Sequence, residues 1–291
     1  MSDQLLLWGG FAVGVLVLLA LDLGVSHRRA HAVKLKEALA WSAVWIALAL
    51  IFSLGIYVWR GPDTSLEFLT GYVLEKILSI DMIFVFMLIF GYFRVPAMYQ
   101  HSVLFWGIIG ALIMRVILIA AGVTLITAFH WLSYAFGAFL ILTGVRIVLQ
   151  KDRQIRPERN PVVRALRRMM PVTNRFEDGR FFIRQAGRHL ATPLFVVLVV
   201  IETTDLIFAI DSIPAVLAIT SDPFVVYTSN VFAMLGLRAL YFAVAGIIPV
   251  FHHLHVGFAA ILAFAGLKMV LTDLYKIPVE IALGVIGSVS R

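Results

Sequence analysis

Eight runs of about twenty apolar residues divide this chain, near 5–24, 40–59, 67–93, 101–127, 131–150, 193–219, 225–249 and 252–272. About 20 apolar residues in a helix cross the hydrocarbon core of a bilayer. No water is available there to satisfy an open backbone, so a run of this kind must close its own hydrogen bonds. The chain therefore reads as an all-α, polytopic transmembrane helix bundle. A ninth run, from about Val279 to Ser290, is shorter and reads as a partial crossing, a re-entrant piece or a cut span, for about nine spans in all. Composition agrees: 61% of the 291 residues are apolar and 14% charged, against 45–50% and about 25% in ordinary globular domains.

The net charge of +7 suggests nucleic acid until the basic residues are located. Of 24 Lys and Arg, 11 lie between Lys151 and Arg188 and four more between Arg28 and Lys36. Both clusters are loops, so the charge is a topology signal, and no nucleic-acid partner is expected. Placing segments 25–37 and 151–191 in the cytoplasm leaves only Arg60 and Lys276 outside, against Asp63, Glu67, Asp222 and Asp273. The N-terminus is then outside and the C-terminus cytoplasmic. MSDQ carries no positive charge ahead of the first run, so that run reads as a retained helix and not as a signal peptide. Within 151–191, NPVVRALRRMMP has the spacing of a basic amphipathic helix suited to anionic lipid. RFEDGRFFI suggests a hairpin turning at Asp178-Gly179. The chain has no cysteine, which removes disulfides and thiolate metal sites.

The spans hold five deep acids: Glu75, Asp81, Glu202, Asp205 and Asp211. A carboxylate at bilayer depth costs a few kcal/mol, so each needs a cation, a proton or a hydrogen-bond partner. ILSIDMI (77–83) aligned with IFAIDSI (207–213) sets Asp81 on Asp211 and Glu75 on Asp205. Downstream, MRVILIAAG and LRALYFAVAG set Arg115 on Arg238, and Arg146 falls near Lys268. Residues 67–150 and 192–273 thus form two three-helix repeats. An odd number of spans makes the second copy inverted, an organisation typical of secondary transporters. Residues 1–66 add two helices with a basic loop, 151–191 a cytoplasmic loop, and 274–291 the last piece.

Carboxylates six apart on a helix are separated by about 9 Å and face different ways. Unbroken helices cannot bring all five acids to one ion. Pro214 is expected to kink or unwind its helix beside Asp211 and free carbonyl oxygens. Oxygen ligands without thiolates suit Mn²⁺, Mg²⁺ or Ca²⁺. Lys76, Arg115 and Arg238 are the expected charge-balancing bases, while Lys268 can snorkel from a span end. Thr204, Ser212 and Asn230 are further candidates for the metal or its path, although Asn230 and Thr228 equally suit helix capping. His27 with His31, and His252, His253 and His255, are weaker metal candidates. The run GIIG (107–110) suits close helix packing. A metal hydrolase is not expected, because no deep histidine stands beside the acids. No phosphate-cradling loop suggests ATP use.

The stretches LDLGVSHRRAHAVKLKEALAWSAVWI, EKILSIDMIFVF, NPVVRALRRMMPVT and ATPLFVVLVVIETTDLIFAIDSIPAVLAITSDPFVVYTSNVFAMLGLRALYF resemble the TerC family, its Alx-like branch in particular. The resemblance implies a bacterial inner-membrane protein linked to tellurium resistance and to manganese export. It carries the metal-handling role to Glu75, Asp81, Glu202, Asp205 and Asp211. Met82 departs from the family pattern, where Asn often follows the aspartate. The expected function is Mn²⁺ export, with Mn²⁺ as substrate, no organic cofactor, and protons exchanged at the same carboxylates. Glu202 and Asp205 are the preferred proton carriers, and Asp81 and Asp211 the principal metal ligands. The alternative is an accessory protein for metallating or assembling secreted proteins, with a homo-oligomer or secretion-machinery partner possible.

Overall fold

The computed structural model describes residues 2–26, 35–129, 131–149, 161–173, 176, 179–185, 188–245, 254–271, 278 and 281–284. His27, His31, Asp178, His252 and His253 lie outside them, as does most of the ninth run, of which 281–284 is helical.

Each of the eight longer runs becomes helix. These are α1 (Ser2–Ser26), α2 (Leu35–Arg60), α3 (Pro62–Tyr92), α4 (Ala97–Ala128), α5 (Leu132–Leu149), α7 (Pro193–Leu217), the pair α8 (Pro223–Leu235) and α9 (Leu237–Ala245), and α10 (Leu254–Val270). Helices α2, α4 and α7 are each long and apolar enough to span on their own, and α8 with α9 does so as one bent element. Outward-facing Leu16, Leu54, Val58, Ile117, Leu142 and Leu149 are exposed, as a lipid-facing surface requires. The chain is a predominantly helical integral membrane protein with one small two-stranded hairpin.

Local chemistry sets the joints. Gly61 takes φ 92° between α2 and α3, a left-handed value that glycine adopts without a Cβ penalty, and Pro62 starts the next helix. The two helices then lie side by side, clamped where Ser65 Oγ donates to Ser53 O at 2.9 Å. Helix α8 is capped by Asp222, whose carboxylate accepts from the amides of Phe224 and Val225 at 2.9 and 3.4 Å. Capping therefore falls to Asp222, and Thr228 and Asn230 stand well inside the helix.

Two expectations about breaks are corrected. Helix α7 does not unwind at Pro214 but continues to Leu217, where the Pro214 carbonyl accepts from Ala218 N at 2.9 Å. The broken span is α8–α9, which bends by 43° around Gly236. A Cβ there would stand 2.7 Å from Lys76 Nζ and 3.0 Å from Trp45 Cβ, so a larger residue would push the Lys76 ammonium aside and press on Trp45. Lys76 donates to Ala233 O at 2.9 Å, satisfying a carbonyl that the break frees.

The closest packing is between α5 and α10. A Cβ on Gly144 would meet Ala259 O at 2.8 Å, and one on Gly266 would meet Gly137 O at 2.5 Å. In the core, α3 lies along α8, α4 along α7, and α3 also touches α7. A basic helix α6 (Pro161–Met169) rests on α7 through Val163 and Leu166. The following hairpin pairs β1 (Phe182–Gln185) with β2 (Arg188–Ala191). Its turn therefore comes after Gln185, later than expected. Gly179, at φ 77°, closes a separate turn on the Phe176 carbonyl.

Candidate functional site

Residues 75, 78, 79 and 82 share one face of α3, by their i, i+3, i+4, i+7 spacing. That face and Phe208 and Ser212 of α7 enclose a cavity with Arg115 of α4, with room for about one water-sized sphere. Phe208 and Ser212 are one turn apart, so α7 contributes a face in the same way. Asn230 of α8 closes the cluster. Four helices thus each place a polar group at one buried point.

The charges meet on Arg115. Its Nη1 donates to Glu75 Oε2 at 3.0 Å, to Ser212 Oγ at 3.3 Å and, in a short contact, to Asn230 Oδ1. Its Nη2 lies 3.6 Å from Asp205 Oδ1. Asn230 Nδ2 donates to Glu75 Oε1 at 2.7 Å, so one amide serves the acid and the base together. Relative exposure is 1% for Glu75, 2% for Asp205, 3% for Arg115 and 0% for Asn230, which places all four out of reach of lipid headgroups and bulk water. Two carboxylates share one guanidinium, so the centre holds an excess of acid. Neither oxygen of Asp205 accepts a hydrogen bond among the described residues. That carboxyl instead borders a second small cavity with Gly107, Ile108, Ala111 and Met234.

The acids that converge are Glu75 and Asp205, the first members of the two acid-x5-acid pairs, and they are the positions the repeat alignment makes equivalent. Asp81 and Asp211 were the expected principal ligands, yet neither appears among the groups around Arg115. With α7 intact through Pro214, the six-residue spacing turns them to other faces. Asp81 is buried and Asp211 partly exposed, and neither is without a partner. Glu202 is half-buried, its carboxyl seated in close contact with Gly110 of α4, so GIIG provides both the close crossing and the seat. Thr204 donates to Val200 O at 2.7 Å within its own helix and turns no oxygen into the centre.

Of the expected counter-charges, Arg115 meets Glu75 and Asp205. Lys76 meets the Ala233 carbonyl instead, because one residue of offset from Glu75 rotates it about 100° around α3. Arg238 bonds His101 Nε2 at 2.7 Å, since the α8–α9 bend displaces it from the place its repeat partner holds. Ser79 was not anticipated. It lines the cavity one turn from Glu75, to whose carbonyl its hydroxyl donates at 2.7 Å, and its i+4 spacing from a deep acid was the available signal. Met82 supplies an apolar wall there, and the amide oxygen of the centre comes from Asn230.

Among the described residues no three of His, Cys, Asp and Glu lie close enough to hold a metal ion together. The centre offers two carboxylates, an amide oxygen and hydroxyls, with a guanidinium among them. This is an oxygen cage suited to a hard cation and filled here by a cationic side chain.

The profile of the integral membrane protein TerC family matches residues 60–290. A membrane protein of Myxococcus xanthus, described as uncharacterized, is 52% identical over 281 residues, covering 97% of this chain and 88% of that one. Alx of Salmonella typhi, described as a candidate membrane-bound redox modulator, is 47% identical over 291 residues, covering 97% and 90%. Its Escherichia coli K12 counterpart is 46% identical with the same coverage. No solved structure matches the chain.

Proposed function

The chain belongs to the integral membrane protein TerC family, and on that premise we propose that it exports Mn²⁺ from the cytoplasm across the bacterial inner membrane. One observation carries the reading. Glu75 and Asp205, from two different halves of the chain, are buried against one cation with the oxygen of Asn230 beside them. Buried acids cost too much to keep as packing alone, and hard oxygen donors without thiolates favour Mn²⁺ over softer ions. Inverted repeats agree with the packing: α3 on α8 and α7 on α4 are the same contact seen from each half, and α3 on α7 is its own equivalent. The redox description of the Alx relatives is compatible with this reading through the metal. A thiol route is not open to a chain with no cysteine.

Exchange for protons at the same carboxylates supplies the driving force. An arriving cation stabilises ionised carboxylates and so expels protons. Glu202, one turn from Asp205 and half-buried on Gly110, is the proton carrier. In liposomes holding the purified protein, Mn²⁺ movement should be matched by opposite proton movement and should slow when the pH gradient is collapsed. In Glu202→Gln, coupling should be lost while Mn²⁺ binding persists. Mn²⁺ flux indifferent to the gradient would identify a uniporter or another coupling ion. If instead purified protein moves no Mn²⁺, the accessory-protein reading gains, with the basic 151–191 segment as its partner surface.

The Lys/Arg asymmetry puts that segment in the cytoplasm and the N-terminus outside. Thr173, whose amide bonds Ala191 O at 2.9 Å beside the hairpin, reports on this. A cysteine placed there should resist an impermeant thiol reagent in intact cells and react after lysis. No native cysteine competes for the reagent.

A further inference from the structure

The guanidinium of Arg115 stands where a carried cation would have to sit. We propose that Arg115 is a tethered counter-ion: it fills the Glu75–Asp205–Asn230 cage in the empty carrier, and the transport cycle alternates Mn²⁺ and guanidinium in that one place. The proposal rests on the transport reading above and assigns Arg115 a role in returning the emptied site.

Three features separate this from a permanent structural ion pair. First, the oxygens of the cage converge on one corner of the guanidinium: Glu75 Oε2, Ser212 Oγ and Asn230 Oδ1 all accept from Nη1. The Nε proton has no partner among the described residues. A locked arginine is usually gripped through two parallel bonds to one carboxylate, and that fork is absent here. Second, Asp205 is 2% exposed, accepts no hydrogen bond among the described residues, and meets Nη2 at 3.6 Å. A buried carboxylate left this loosely engaged is a ligand awaiting a better-placed cation. Third, free space borders both acids. Glu75 and Arg115 line one small cavity and Asp205 another, each with room for about one water, so the two acids are not sealed in close packing.

The physical need is specific. A carrier that has released its cation must reorient with two buried carboxylates, and moving them without compensation is prohibitive. The tethered guanidinium neutralises one of them on the return, a proton taken in exchange for Mn²⁺ neutralises the other, and both yield when Mn²⁺, with its double charge, arrives. A merely structural arginine would serve loaded and empty states alike.

The test compares two modes of transport in proteoliposomes holding full-length protein: net Mn²⁺ efflux, which needs the empty return, and Mn²⁺/Mn²⁺ exchange, which does not. In Arg115→Gln, the ratio of net efflux to exchange, per folded molecule, should fall about a hundredfold. Arg115→Lys keeps the charge, and with it the fold, but loses part of the grip on Glu75 and Asn230. Its ratio of net efflux to exchange should fall about tenfold, and this variant decides the matter if the Gln variant does not fold. A ratio equal to wild type, with both modes lowered together or neither changed, overturns the proposal. Wild-type protein that carries Mn²⁺ in neither mode overturns the transport reading itself.

Discussion

Asp205→Asn and Glu75→Gln should each reduce Mn²⁺ efflux by about a hundredfold, the equivalent of about 3 kcal/mol of lost cation stabilisation in a buried site. Both changes keep the side chain's shape, so the loss reports on charge and on the lost acceptor oxygen and not on packing. The fold should survive either one, because Arg115 retains a carboxylate: Glu75 at 3.0 Å in the first variant and Asp205 at 3.6 Å in the second. Asp81→Asn and Asp211→Asn should cost less, since neither residue is among the groups that surround Arg115. Radiolabelled Mn²⁺ efflux, normalised to protein in the membrane, separates the two pairs. If Asp81 and Asp211 prove the sensitive positions while Glu75→Gln and Asp205→Asn export normally, the centre has been placed on the wrong pair.

Gly266→Leu should destabilise the protein by about 3 kcal/mol or more, through overpacking that no rotamer can relieve. The Cβ alone would lie 2.5 Å from Gly137 O, 2.9 Å from Ile141 Cγ1 and 3.0 Å from Ile141 N, and backbone atoms cannot step aside as a flexible side chain can. Helices in lipid gain little from hydrophobic association, so close approach of this kind is a main source of their cohesion. Gly55→Leu is the matched control, because a Cβ there meets nothing within 4 Å. Thermal unfolding in detergent should show a lowered midpoint for the first variant and near-wild-type behaviour for the second. Equal midpoints would mean that the α5–α10 contact is not tight in the folded protein.

Much of the helical framework was legible in the chain. Helix formation in a bilayer is a local decision: a run of about 20 apolar residues must close its own hydrogen bonds whatever surrounds it. The runs near 40–59 and 193–219 therefore appear as α2 and α7 with ends shifted by a few residues. The repeat alignment likewise carried information, because Glu75 and Asp205, matched by sequence, meet at one guanidinium.

What the chain alone determined, then, is that its runs become helices, that acids lie deep within them, and that Glu75 and Asp205 stand in similar stretches of sequence. The tertiary structure decided which acids share a cation. Spans apolar all round carry no stripe that says which face turns inward, so nothing in ILSIDMI chooses Glu75 over Asp81 until α4 and α8 deliver Arg115 and Asn230. It decided also that the break falls at Gly236 and not at Pro214. A proline inside a helix forfeits one hydrogen bond whatever surrounds it, whereas the bend at Gly236 accommodates Trp45 and Lys76 from other helices, and Lys76 satisfies the carbonyl it frees. Contacts between residues 157 positions apart, such as Lys76 with Ala233, depend on how whole helices dock, and docking is a property of the bundle.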